Sequence, residues 1–156
     1  MALNRHSRDT AWAMSQENVE IVKRANAAWN GHDLAAVEAA YARDIEWRDL
    51  QHAPDAPAVV HGIKAVKRIW EDWLEAFPDL RTDISEYIDA GDAVICVTHY
   101  HGSGGGSGAP IDLHAADVFE LTEGKIARAT FGYESKVDAL EAVKRYDQIH
   151  QPEPDG

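Results

Sequence analysis

Four ionisable side chains stand in or beside strand-like apolar patterns: Asp49, His99, His101 and Asp117. In LHAADVFEL (113–121), Leu113, Ala115, Phe119 and Leu121 alternate on one face, and Asp117 falls in the middle of that row. A strand presents every second side chain to the same side, and burying an unpaired charge is costly. An acid placed there is expected to face a pocket. Its pKa then rises, and the neutral acid can donate a hydrogen bond or exchange a proton. The structural alternative is a carboxylate satisfied by an arginine or a backbone donor. In VTHYHG (97–102), His99 and His101 share a face with Ile95 and Val97. Two imidazoles near a carboxylate can serve as acid and base, or as a metal pair. No third ligand is spaced convincingly along the chain, so a metal is not expected. Asp49 closes DIEWRDL (44–50) beside a loop. A general base there needs reach to a substrate C–H, and a solvated rim residue is the alternative. His114 falls on the face opposite Asp117 and is expected on the sheet exterior, while His52 and His61 read as solvated loop histidines.

The elements that must position these groups can be read from periodicity. Ser15 is expected to cap a helix carrying Val19, Val22, Ala25 and Trp29, with Gly31 ending it. Asp33 caps a second helix with Leu34, Val37 and Tyr41 on one face, and DIEWRDL follows as a strand. QHAPDAPAVVHG (51–62) is expected to be a loop, because Pro54 and Pro57 forbid regular structure. A third helix spans Ile63 to Phe77 and stops at Pro78. The period then becomes two. LRTDISEYIDA and AVICVTHYHG meet at a turn around AGD (90–92), and IDLHAADVFEL and KIARATFGYES meet at TEG (122–124). A final helix covers Lys136 to Ile149. Residues 1–14 read as a poorly ordered extension, 15–149 as one domain and 150–156 as a frayed tail. Helices grouped before an antiparallel meander indicate an α+β fold with one sheet face covered. A twisted sheet wrapped around helices makes a cone, and an incompletely filled cone is a pocket.

Composition narrows the function classes. The chain has 156 residues, 45% of them hydrophobic, and 15 Lys+Arg against 27 Asp+Glu give a net charge of −12. That field repels phosphate backbones and anionic lipid, so neither nucleic acid nor a membrane surface is an expected partner. The single cysteine, Cys96, excludes an intramolecular disulfide and reads as a small buried hydrophobe. MALNRHSRDTAWA lacks an apolar signal region, so a cytoplasmic location is expected.

The stretches AAWNGHDLAAVEAAYARDIEWRD, HGIKAVKRIWEDWLEAFPDL, IDAGDAVICVTHYHGSG and HAADVFELTEGKIARATFGY resemble the SnoaL-like branch of the nuclear-transport-factor-2-like superfamily. The resemblance implies a conical pocket between a strongly curved, mostly antiparallel sheet and the N-terminal helices, in a homodimer joined through the sheet. Set beside ketosteroid isomerases, YARDIEWRD places Asp49 at the general-base position. AADVFEL places Asp117 where a buried acid donates to the developing oxyanion. The tyrosine that completes that oxyanion hole is replaced by Ala25, which departs from the isomerase pattern. The resemblance also turns His99, His101 and Val97 toward the cone. Trp47, Ala25, Trp29, Trp70, Val97, Ala115, Phe119, Ala129 and Phe131 are expected to line it. An epoxide-hydrolase pattern fits poorly, because Ala115 stands where an arginine is required. The function implied is a cofactor-independent isomerase, cyclase or dehydratase moving protons on a hydrophobic, oxygenated carbonyl substrate. The alternative is a non-catalytic module that binds a small ligand or dimerises.

Overall fold

Helical periodicity at the N-terminus does produce a helix, but a longer one than Ser15 suggests. In the computed structural model, which describes residues 2–52, 54–104 and 109–150, with side chains for 13–52, 54–104 and 109–146, α1 spans Ala2–Asn30. Ser15 is therefore an interior residue rather than a cap, and its hydroxyl donates to Asp89 Oδ2 at 2.9 Å. The expected tail 151–156 lies outside the described residues. Ile21, Val22, Ala25 and Trp29 form the buried stripe of α1. Its C-terminus is tied to the sheet by a two-way bond: Asn30 Nδ2 donates to Thr82 O at 2.9 Å, and Thr82 N donates to Asn30 Oδ1 at 2.8 Å. Asp33 caps α2 (Leu34–Ala39) by accepting from the Ala36 amide, satisfying a donor that the helix itself leaves open. The third helix, α3 (Ile63–Ala76), buries Val66 and Trp70 and stops before Pro78.

The strands are β1 (Tyr41–Asp49), β2 (Val59–His61), β3 (Arg81–Ala90), β4 (Ala93–Gly102), β5 (Ile111–Thr122) and β6 (Lys125–Tyr133). They form one curved, unclosed sheet in the order β2-β1-β6-β5-β4-β3. β3 to β6 make the expected meander, and β1 runs parallel to β6. β2 corrects the reading of 51–62 as loop throughout, since Val60 pairs with Trp47 of β1. Three residues are too few for alternation to register, and both prolines precede them.

Residues directly opposed across an antiparallel pair share a face. Cys96 opposes Asp117, Thr98 opposes Ala115 and Tyr100 opposes Leu113, and this set faces the helices. Ile95 opposes Val118, Val97 opposes Ala116 and His99 opposes His114 on the other side. The expectation that His99, His101 and Val97 point into the cone is therefore corrected. The run AVICV is apolar at both parities, so its pattern alone does not fix which side faces inward. The second face also has cover of its own: α4 (Lys136–His150) packs Ala139, Leu140 and Val143 against Ala93, Ile95, Ala116 and Val118. Helices thus lie on both sides of the sheet, not one. Among the described residues no helix is long and apolar enough to cross a membrane.

Candidate functional site

Asp117 is 1% exposed, and both carboxylate oxygens are engaged. Oδ2 accepts a short hydrogen bond from the Tyr100 hydroxyl, and Oδ1 accepts from the Gly132 amide at 3.0 Å. Gly132 has φ +98°, a conformation other residues adopt only with strain, and an added Cβ would sit 3.1 Å from Gln51 Cγ. Glycine is therefore what lets this amide turn toward the acid. Burial pushes the Asp117 pKa up to about 6, against the lowering effect of the Tyr100 hydroxyl, the Gly132 amide and the Thr98 hydroxyl, and the Asp49 charge adds to the rise. Burial, followed by the Asp117 charge, likewise holds the Tyr100 hydroxyl well above the ordinary tyrosine value. Tyr100 therefore stays protonated as a donor. Asp117 combines the two roles weighed for it: it faces a cavity and is satisfied by protein donors.

Two cavities meet at this pair. The inner one, about 60 Å³, lies between α1 and the sheet and is lined by Val22, Ala25, Trp29, Tyr41, Thr82, Thr98, Asp117 and Phe119, among others. The outer one, about 200 Å³, is lined by Asp49, Gln51, Phe77, Leu80, Ile111, Leu113, Ala115 and Gly132. Trp73, Tyr100 and Phe131 border both, so the Tyr100 ring is part of the partition. An apolar cavity of roughly 150 Å³ holds a benzene ring. The outer chamber therefore accepts one ring, and the inner chamber accepts water or a small substituent. Thr82 Oγ1, on the inner wall, is buried with no partner among the described residues. Such a hydroxyl is a place for a polar ligand atom or a water.

Asp49 reaches the outer chamber from the end of β1. Its Oδ1 accepts from the Gln51 amide at 2.9 Å, and Gln51 Nε2 donates to Gly132 O at 2.9 Å. One short turn thus links the candidate base to the glycine that holds Asp117. Ala25, Trp29, Phe119 and Phe131 border the inner cavity, and Ala115 and Phe131 the outer. Trp47, Trp70 and Ala129 border neither. They are core residues behind the wall, with the Trp47 ring 4.1 Å from Phe131 between centroids.

The structure does not bring His99 and His101 to this site. They lie on the outer face, where His99 Nε2 meets Asp112 Oδ1 at 2.5 Å and His101 Nε2 meets Asp83 Oδ2 at 2.6 Å. These histidine contacts hold the Asp112 and Asp83 carboxyls below the usual carboxylate range. His114 stacks on His99, and His52 and His61 are exposed. The polar groups that the sequence reading missed are Tyr100, Thr98, Thr82 and Tyr41. Tyr100 and Thr98 were accessible through register, since both share the parity of Cys96, which opposes Asp117.

The geometry can be set beside known proteins. A structure of Bal32a, from a soil-derived mobile gene cassette, is 18% identical over 81% of this chain and 96% of that one, with a TM-score of 0.69. A putative SnoaL-like polyketide cyclase from Jannaschia sp. CCS1 is 20% identical over 88% of this chain and 94% of its own, with a TM-score of 0.66. A hypothetical protein with a ketosteroid isomerase-like fold from Catenulispora acidiphila, solved in complex with trimethylamine, is 23% identical over 74% of this chain and 85% of its own, with a TM-score of 0.63. No curated protein matches the chain. Likeness at these identities establishes the fold, not a reaction. The SnoaL-like domain model matches residues 22–129, the larger part of the chain and all the residues of the two cavities except Phe131 and Gly132. The chain belongs to the SnoaL-like domain family.

Proposed function

We propose that the protein is an acid–base enzyme acting on a small hydrophobic molecule that carries a carbonyl group. A ring-sized substrate occupies the outer cavity with its carbonyl oxygen toward Tyr100. Asp49 takes a proton from the carbon next to the carbonyl, and the C–H electron pair passes into the developing enolate. The Tyr100 hydroxyl donates to the oxygen as it gains charge, the type of stabilisation that lowers such barriers most. Tyr100 has a single hydrogen, so it can serve the substrate only when Asp117 is protonated and donates to the Tyr100 oxygen in turn. The enolate then regains a proton elsewhere, attacks a second carbonyl, or expels a β-hydroxyl, giving isomerisation, cyclisation or dehydration. The observation that carries this reading is a wholly buried acid with a raised pKa, hydrogen-bonded to a tyrosine at the border of an apolar cavity. The likeness to a putative SnoaL-like polyketide cyclase agrees with the substrate class.

A second reading, a binding module without chemistry, draws support from the engagement of both Asp117 oxygens by protein donors. Deuterium exchange separates the two. A panel of cyclic ketones is incubated with the protein in D2O, and loss of the proton signals next to the carbonyl is followed by NMR. Enzyme-dependent exchange is expected with at least one ketone, falling roughly 100- to 10,000-fold in Asp49→Asn as a general base is removed. Ketones that bind without exchanging favour the binding module, and exchange untouched by Asp49→Asn overturns the role given to Asp49.

A further inference from the structure

The outer face of β3, β4 and β5 carries a cluster of side chains that the cavity chemistry does not use. His99 and His101 project from β4, Asp83 from β3, and Asp112 and His114 from β5. Along the chain the two histidines of HYH lack a third ligand, and cross-strand pairing supplies it: Asp83 opposes His99, and Asp112 opposes His101. We propose that this face binds one divalent transition-metal ion through His99, His101 and Asp83.

The ligand atoms of these three residues lie within 4.8 Å of one another. In a tetrahedral zinc site, bonds of roughly 2.0–2.2 Å bring ligand atoms to about 3.4 Å apart. Rotation of partly exposed side chains covers that difference while the strands hold the backbone fixed. A second set, His99, Asp112 and His114, has the same spread. Its two imidazoles stack with planes only 6° apart, which keeps their in-plane lone pairs parallel and does not converge them on one ion. The His99 and His101 rings are inclined by 35°, with centroids 4.9 Å apart, and can converge. Two imidazoles and a carboxylate suit Zn²⁺, Co²⁺, Ni²⁺ or Cu²⁺ rather than Mg²⁺ or Ca²⁺. Asp112, 2.5 Å from His99 Nε2, supplies further negative charge, and the overall charge of −12 favours the approach of a cation. Arg81, with Nη2 3.8 Å from Asp83 Oδ1, must give way when Asp83 turns to the ion.

The test uses chelator-stripped protein carrying no affinity tag, titrated with Zn²⁺ by calorimetry. One ion per chain is expected. Affinity should fall more than about a hundredfold in His99→Ala and in His101→Ala, beyond the roughly 10- to 100-fold that loss of an outer-shell partner costs. Asp83→Asn should also weaken binding, whereas His114→Ala leaves it within a few-fold. Urea unfolding of the metal-free variants confirms that these surface substitutions keep the fold. Absence of saturable binding overturns the proposal, as does binding indifferent to His99→Ala and His101→Ala. Binding abolished by His114→Ala but kept in His101→Ala overturns the ligand set.

Discussion

Asp117→Asn is expected to gain stability over the wild-type protein as pH rises, by about 3 kcal/mol between pH 3 and pH 8. The sign follows from the direction of the pKa. The folded protein holds the Asp117 proton up to about pH 6, whereas the unfolded chain releases it near 3.8. Over that interval the folded state binds more protons than the unfolded state, so this group lowers stability as pH increases. The effect is absent below about 3.8, grows through the interval and is complete above about 6. At about 1.4 kcal/mol per pH unit the sum is about 3 kcal/mol. Asparagine cannot ionise, and it preserves the contacts: its oxygen accepts from the Gly132 amide and its Nδ2 donates to Tyr100. Urea midpoints of the two proteins across this range give the difference directly. The variant also imitates the protonated acid, so wild-type ketone exchange is expected to decline above about pH 6, as Asp117 ionises, and exchange by Asp117→Asn is expected not to. Stability curves that stay parallel would mean that the buried acid titrates normally.

Tyr100→Phe is expected to slow exchange roughly 100- to 1,000-fold, the usual cost of removing one donor to a developing oxyanion. The ring remains, so the partition between the two cavities is kept, and the loss should fall on turnover rather than on binding. Removal of the hydroxyl also leaves Asp117 Oδ2 without its donor at a fully buried position. An abandoned buried acceptor costs about 1–3 kcal/mol, more for a charged group. One of the contacts that hold the Asp117 pKa down is lost as well, so the acid should retain its proton to higher pH. Full activity in Tyr100→Phe would assign the substrate oxygen to another group, such as the Thr82 hydroxyl on the inner wall, which has no partner among the described residues.

Much of this arrangement is legible in the chain. The stripe of Val22, Ala25 and Trp29, the capping Asp33 and the two hairpin turns mark the helices and the meander. Asp117 stands out because Leu113, Ala115, Phe119 and Leu121 share its face of β5, although Ala116 and Val118 between them are apolar as well and pack under α4. β4 is different: Val94, Ile95 and Cys96 are apolar in succession because both faces of the sheet are covered there, by α1 on one side and α4 on the other. Period-two reasoning then gives no direction, and the direction implied by the family resemblance, His99 and His101 toward the cone, is the wrong one. Pairing across the turn at 90–92 and the register of β4 against β5 settle the matter, which is long-range information. The same register puts Tyr100 on the face of Asp117, where its hydroxyl reaches the carboxylate, and in the proposed mechanism it stands, from a strand, for the hydroxyl that Ala25 lacks on α1. The helix of residues before Ser15 and the three-residue β2 leave no periodic signature strong enough to read.

The most direct test of the Asp117–Tyr100 pair follows the Asp117 carboxyl by NMR against pH, in protein labelled with 13C at the aspartate side-chain carboxyl. A midpoint near 6 in the wild-type protein, moving upward in Tyr100→Phe, is the predicted result. A midpoint at the ordinary aspartate value of about 3.9, unmoved by the loss of the hydroxyl, would contradict it.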